Sequence, residues 1–314
     1  MRTEARRQQS KVGKASARAT GTVQGVTLTH PDRILYPDQR LTKRDLAEYY
    51  ESVAEWIMPH VIGRPLTVVR CPEGQEGGCF YQKHANETIP NAIARVQIPE
   101  EDGETTYMMA NTLAGVIGLV QMGVLEIHTW GARKDRLDRP DRLIFDLDPD
   151  PELPWKRVLE VATMTRTLLT ELGLTSFVKT TGGKGLHIVL PLQRTHTWDE
   201  IKAFARAVAE FVARANPGFV TSTMAKAKRK RKVYIDYLRN TKGATAVAAF
   251  STRAKSGAPV SVPLSWDELS PDLRSDHFTV GNIGSRLKSL RDDPWGEYYT
   301  VKQSLTKTMS ERLS

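Results

Sequence analysis

The run Leu143-Ile144-Phe145-Asp146-Leu147-Asp148 decides how this chain is read. Its apolar residues predict a buried strand. Side chains in a strand alternate faces, so two carboxylates two residues apart leave it on the same side. Carboxylates that close repel each other unless a cation sits between them. A second strand, Val233-Tyr234-Ile235-Asp236-Tyr237, carries a third. Brought beside the first pair, Asp236 would complete a set of hard oxygen ligands suited to Mg2+ or Mn2+, the core of two-metal phosphoryl and nucleotidyl transfer. An Asp-x-Asp pair alone is also common in turns and in metal-dependent glycosyltransferases. Its meaning therefore depends on the rest of the chain.

Between those strands lies Lys179-Thr180-Thr181-Gly182-Gly183-Lys184-Gly185-Leu186-His187. Glycines let backbone N–H groups approach an anion, Lys184 adds a point charge and Thr181 a hydroxyl, while His187 leaves the turn facing the same mouth. The spacing is not that of a Walker A loop, so a P-loop NTPase is not indicated. Lys226 to Lys232 holds six basic residues among seven and leads into the strand of Asp236, well placed to meet polyphosphate or a nucleic-acid backbone. Arg253 follows the apolar segment Val247 to Phe250. Phe80 and Tyr81 follow a Gly-rich turn, with Lys83 and His84 beyond; one aromatic is expected in the core and the other as a stacking platform for a base. Glu126-Ile127-His128 puts two polar groups on one face of an apolar strand.

Outward from these motifs, the elements are those of an α/β or α+β layer arrangement. Thr42 to Asp45 fits a capping box opening a helix that runs towards Met58, with Pro59 as its stop. Leu66 to Arg70 is predicted as strand, Asn111 as the cap of a short helix to Met122, and Val124 to His128 as a buried strand. Trp155 to Leu172 is an amphipathic helix closed by Gly173, and Thr197 with Glu200 caps another that ends near Asn216.

The 314 residues are 40% hydrophobic and 26% charged, an ordinary globular balance. Lys plus Arg number 45 against 36 acids, a net charge of +9 that favours a polyanionic partner. Two cysteines, Cys71 and Cys79, exclude a disulfide framework or a four-ligand zinc site on count, and both are expected as reduced thiols. No apolar run approaches a membrane span and no signal peptide opens the chain, so the expected location is the cytoplasm, at the nucleoid. Residues 1–22 carry six basic side chains and read as a disordered basic tail or linker.

As a set, the motifs resemble the archaeo-eukaryotic primase superfamily, and within it the polymerase domain of bacterial DNA ligase D, the enzyme of non-homologous end joining. The strings that carry the resemblance are His30-Pro-Asp-Arg-Ile-Leu-Tyr-Pro37, Arg70-Cys-Pro-Glu-Gly74 with Phe80-Tyr-Gln-Lys-His84, Glu126-Ile-His-Thr-Trp130, Phe145-Asp-Leu-Asp-Pro149, the glycine-rich turn, and Asp236-Tyr-Leu-Arg-Asn240. They occur in the family's order across residues 24 to 300. The resemblance implies a primase-like fold, with central β-sheets and an RRM-like catalytic module flanked by helices. It implies one domain over residues 23–300, with a C-terminal tail at 301–314.

The resemblance also implies roles. Asp146, Asp148 and Asp236 would bind two divalent ions, with manganese favoured in this family. Thr181, Lys184, His187 and Arg253 would grip the triphosphate, with Arg229 as a further basic contact, and His128 would lie on the ribose side. Tyr81 would stack at the template with Lys83 beside it, and Arg33 and Lys43 would hold the 5′-phosphate of a recessed end. Thr181 stands where serine is usual, Tyr81 where phenylalanine is usual, and Arg33 where lysine is usual. The implied activity is template-directed addition of nucleotides, ribonucleotides often preferred, at gaps or broken DNA ends, with Ku and a ligase as further partners.

Among rivals, many de novo primases of the superfamily carry a zinc knuckle, which two cysteines cannot supply. A non-catalytic end-binding module is disfavoured by the intact Asp146, Asp148, Asp236 and Lys184. No ligase lysine motif or nuclease segment is recognised, so the chain is expected as a stand-alone polymerase or a part of a longer ligase.

Overall fold

Residues Arg142–Pro149, the strand of the aspartate pair, lie third in a six-stranded sheet in a computed structural model that describes residues 20–100 and 103–313. The sheet order is Val220–Thr221, Val233–Asp236, Arg142–Pro149, Leu186–Pro191, Phe177–Thr180 and Pro263–Leu264. Its neighbours pair antiparallel, except that Val220–Thr221 runs parallel to Val233–Asp236. Helices Trp155–Glu171 and Trp198–Ala215 pack on the Arg142–Pro149 strand and on each other. The second of these opens with the expected capping box, Thr197 accepting from the Glu200 backbone N–H while the Glu200 carboxylate reaches back.

A second sheet runs Thr245–Val247, Val124–Trp130, Leu66–Arg70, Gly103–Met109 and Ala94–Glu100, with Phe80–Gln82 hung on Leu66–Arg70. All seven residues of Val124–Trp130 are buried. Helix Leu113–Gln121 packs against that strand and against helix Lys43–Ser52. The two sheets are tied by buried polar side chains. The Arg64 guanidinium donates twice to Asp141, both at 2.7 Å, and Lys179 Nζ donates to Val247 O at 3.0 Å and Ser261 Oγ at 2.6 Å. Burial, with the Arg253 and Arg142 charges adding, holds the Lys179 ammonium well below its usual pKa. Leu305 and Leu313 join the main core from the far end of the chain.

The α+β layering expected from the sequence is what is found, with local corrections. The Thr42 capping box is present, but its helix ends at Ser52; Val53, at φ −110° and ψ 18°, breaks the run, and a second helix spans Ala54–Val61. Pro59 lies inside that second helix. A proline removes its own hydrogen bond without forbidding the next residues, and the helix stops two residues later. The cap of helix Leu113–Gln121 is Thr112, whose hydroxyl accepts from Gly115 N at 3.1 Å, while Asn111 Oδ1 accepts from Gly63 N. Cys71 and Cys79, expected as separate thiols, form a disulfide. The turn at Gly74 (φ +90°), closed by Gly74 N to Cys71 O, folds the chain back and brings the two together, a proximity that a cysteine count cannot show. The basic tail expected at residues 1–22 lies, up to residue 19, outside the described residues, and among those described no helix is long and apolar enough to cross a membrane.

Candidate active site

Pairing register puts the acidic residues together. Asp146 lies directly opposite Asp236 on one side and His187 on the other, and Asp148 lies opposite Tyr234. Asn240 holds this arrangement from beyond the strand end: its amide accepts from Ile144 N and donates to Ile144 O, both at 2.8 Å, extending the ladder past Asp236. The glycine-rich turn folds over the same place. Gly182 is at φ +64°, and a Cβ on Gly185 would lie 1.7 Å from Leu147 O, so the turn rests directly on the aspartate strand. Gly185→Ala is therefore expected to lower stability by about 1–3 kcal/mol through overpacking, read as a lower urea midpoint with unchanged slope.

These elements and the second sheet enclose a cleft of about 460 Å³. It is lined by Asp146, Asp148, Asp236, His128, Thr181, Lys184, His187, Arg229, Arg253 and Tyr81, bringing ten of the expected site residues into one place. Arg33, Lys43 and Lys83 are elsewhere. Arg33 donates to Pro72 O at 2.7 Å and pairs with Glu73 at 3.1 Å; Lys43 follows it through a 2.8 Å backbone bond and is nearly enclosed, its Nζ donating to Thr29 O. Burial and then the Arg33 charge lower the Lys43 pKa. Lys83 pairs with Glu100 at 3.2 Å beside another hollow. Of the aromatic pair, neither is core: Phe80 is 49% exposed and Tyr81 71%. Their strand hangs on Leu66–Arg70, and the Phe80 ring meets the Arg70 guanidinium, 5.6 Å from its centre, rather than the core. The Tyr81 ring stands 6.1 Å from that of His128, centre to centre.

The electrostatics divide the carboxylates. Burial alone would raise Asp146, but His187, with Nε2 3.4 Å away, and Arg239, with its terminal nitrogen 3.0 Å away, hold it well below the usual range. Burial raises Asp148, and the Asp146 charge raises it further. Burial also raises Asp236, in spite of Arg239. His187 is brought down to about 4 by burial, then by Lys179, and its Nδ1 is buried without a partner. A cluster whose members resist ionising together has the charge deficit that a divalent cation supplies, and an all-carboxylate donor set is of the hard kind such ions prefer. As the side chains stand, however, no three His, Cys, Asp or Glu groups among the described residues form a ready coordination shell. The Arg239 guanidinium lies between Asp146 and Asp236 instead, 3.4 Å from the latter.

Arg239 has no assigned role in the sequence reading, although it stands in the quoted string three residues past Asp236. The 3₁₀ turn Leu238–Asn240 carries it back over the aspartates, a placement that spacing suggests only once Asp236 is located. Lys255, whose pKa is lowered by burial and then by Arg253 and Lys184, also lines the cleft without a sequence signal. Arg229 stacks 3.7 Å over the Tyr234 ring and reaches to 3.9 Å from Asp148. Beneath the cleft, Glu126 accepts from His128 Nε2 at 2.8 Å and pairs with Arg253 at 3.0 Å. Burial would raise its carboxyl, but these partners outweigh it and bring it to about 2.

A family model, the LigD primase-polymerase domain, matches residues 42–295, and the chain belongs to that family. It is 40% identical over 302 residues to the multifunctional non-homologous end joining protein LigD of Pseudomonas aeruginosa, a match covering 96% of this chain and 36% of that protein. It is 34% identical over 270 residues to the protein of the same description from Mycolicibacterium smegmatis, covering 85% of this chain and 35% of that one. The chain thus spans about a third of the length of these relatives. Among solved structures, the polymerase domain of Mycobacterium tuberculosis ligase D in complex with DNA superposes with a TM-score of 0.82 at 32% identity, covering 88% of this chain and 99% of that one. The fold is the archaeo-eukaryotic primase fold, with the six-stranded sheet and its two long helices as the RRM-like module.

Proposed function

We propose that this chain is a template-directed nucleotidyltransferase that adds nucleotides, ribonucleotides in preference, to primer 3′ ends at gaps or double-strand breaks in non-homologous end joining. The observation that carries the proposal is the register: Asp146 is flanked by Asp236 and His187 on adjacent strands, with the Thr181–His187 turn folded over them. Family membership supports the reaction class.

In this reading Asp146, Asp148 and Asp236 hold two divalent ions, Mn2+ or Mg2+, which when bound supply Lewis acidity at the primer 3′-hydroxyl and charge for the triphosphate. Lys184, Arg253, the Thr181 hydroxyl and the glycine N–H groups bind and orient the triphosphate, and Arg229 adds charge at the mouth. His128 meets the sugar. Tyr81, exposed at the rim, stacks on a base, and Lys83 lies along the path of a strand. No covalent enzyme intermediate is required, because positioning and charge neutralisation suffice for phosphoryl transfer. Arg33 and Lys43 take a 5′-phosphate in place of the Glu73 carboxylate that Arg33 now holds. We place the work at the nucleoid in the cytoplasm, with a Ku-type end binder and a ligase as partners.

The test offers a gapped duplex, with or without a 5′-phosphate, together with rNTPs or dNTPs and either metal. Extension stimulated by the phosphate is the expected result, and none with any combination contradicts the proposal. In the same assay Arg33→Ala is expected to lose roughly tenfold of the phosphate stimulation, the scale of one hydrogen bond to a charged group, without changing extension on the unphosphorylated gap.

A further inference from the structure

We propose that Glu126 is the positioning residue of the nucleotide site: its buried carboxylate fixes the tautomer of His128 and the direction of Arg253, and thereby sets the preference between ribose and deoxyribose. The proposal rests on the polymerase reading above and concerns a residue that lines no part of the cleft.

Glu126 sits in the middle of strand Val124–Trp130, 5% exposed. An ionised carboxylate only accepts, and here it has two hydrogen-bond donors and a guanidinium around it. Oε1 accepts from Ala254 N at 2.9 Å; Oε2 accepts from His128 Nε2 at 2.8 Å and stands 3.0 Å from Arg253 Nε. On its other side Arg253 donates to Thr181 O at 2.7 Å, at the start of the glycine-rich turn. One continuous line of contacts, from His128 through Glu126 and Arg253 to Thr181, therefore runs along the wall of the cleft and fixes the sugar side relative to the triphosphate side.

The chemistry of the acceptor sets the tautomer. With a carboxylate against Nε2, that nitrogen carries the hydrogen, and Nδ1 is left as a bare acceptor on a ring that lines the cleft. An acceptor there rewards a sugar hydroxyl that can donate and gains nothing from a deoxy carbon. A glutamine at 126 has nearly the same volume and still accepts from Ala254 N. Its NH2 would face His128 Nε2, reverse the tautomer, turn Nδ1 into a donor, and leave Arg253 without its counter-charge.

Glu126→Gln is compared with wild type for single incorporation of ATP and dATP on a phosphorylated gap, and in the nucleotide-free protein by 15N NMR of the histidine rings. The expected results are an Nε2-protonated His128 in wild type and the opposite tautomer in the variant. The ratio of kcat/KM for ATP over dATP should fall roughly tenfold, the worth of one neutral hydrogen bond. DNA affinity should be unchanged. In a His128→Asn background the same substitution should not move the ratio further, as expected of two residues acting through one contact. Glu126→Asp, which keeps the charge, should restore part of the ratio. An unchanged ratio, an unchanged tautomer, or an equal further fall in the His128→Asn background overturns the proposal, as does a variant that only melts earlier at constant ratio. If wild type adds no nucleotide at all, it is the polymerase reading that fails, and the NMR comparison still decides what Glu126 does to His128.

Discussion

Asp148→Ala is expected to reduce primer extension on the order of 10³-fold or more, the scale of losing a group that organises transition-state charge, while affinity for a gapped duplex stays within about twofold. Asp148 is the cleanest of the three aspartates to remove. Asp146 is bonded to Arg239 and faces His187, and Asp236 accepts from Leu238 N, so replacing either leaves polar groups unpaired as well as removing a ligand. The Asp148 carboxylate accepts no hydrogen bond among the described residues; the charges that attract it are those of Lys184 and of the Arg229 guanidinium, 3.9 Å away. Its folded pKa is raised, by burial and then by Asp146, so at neutral pH its charge opposes folding and its removal should leave the melting temperature unchanged or slightly higher. Single-turnover extension, DNA anisotropy and a thermal melt together check this. Wild-type extension by the variant would remove Asp148 from the chemistry.

Asp141→Ala should cost about 3–5 kcal/mol of stability, the range for breaking a buried ion pair by deleting one partner. Asp141 accepts two 2.7 Å bonds from Arg64, which is 3% exposed, and pairs also with Arg133 at 3.2 Å. It stands next to Arg142, the first residue of the aspartate strand, while Arg64 lies just before the strand Leu66–Arg70 of the other sheet. The variant therefore leaves a buried guanidinium uncompensated at the joint between the sheets that wall the cleft. Burial alone would raise the Asp141 carboxyl, but Arg64 outweighs it and brings it to about 2. Because the folded value lies below the unfolded one of about 3.9, the contribution of this pair is complete above roughly pH 4 and is lost as pH falls towards 2. Urea unfolding of wild type and variant at pH 7 and pH 2.5 should show a gap that narrows in acid. A gap independent of pH would mean that the pair's charge is not what stabilises the joint.

What could be read from sequence follows from which interactions are local. Asp146 and Asp148 are legible because strand alternation fixes their common side. The turn within Lys179–His187 is legible because glycine and lysine state their purpose within nine residues. That Asp236 pairs with Asp146, rather than lying on a distant edge, is a matter of strand order, which no local spacing sets. The tie from Lys179 to Ser261, the carboxylate of Glu126 against Arg253, and the return of Arg239 over the aspartates join residues far apart in sequence or depend on a turn whose direction only packing decides. Phe80 shows the opposite error: one aromatic of the pair is assigned to the core by default, whereas this short strand leaves both rings largely exposed, Phe80 beside the Arg70 guanidinium and Tyr81 beside His128. The hairpin Ala94–Glu100 with Gly103–Met109 is legible in part: Ala94, Val96 and Ile98 alternate with Arg95 and Gln97, and Ile98 and Tyr107 are buried against Trp130, but Pro99 and the Gly103-Glu104-Thr105-Thr106 start weaken the local signal.

The most direct measurement is manganese binding, followed by electron paramagnetic resonance, as the metal is titrated into the protein with a non-hydrolysable ribonucleoside triphosphate. Two ions bound per chain in wild type, with loss of at least one in Asp236→Asn and of extension with it, is the result the convergence of the three aspartates predicts. Undiminished manganese binding and nucleotide addition by Asp236→Asn would contradict it.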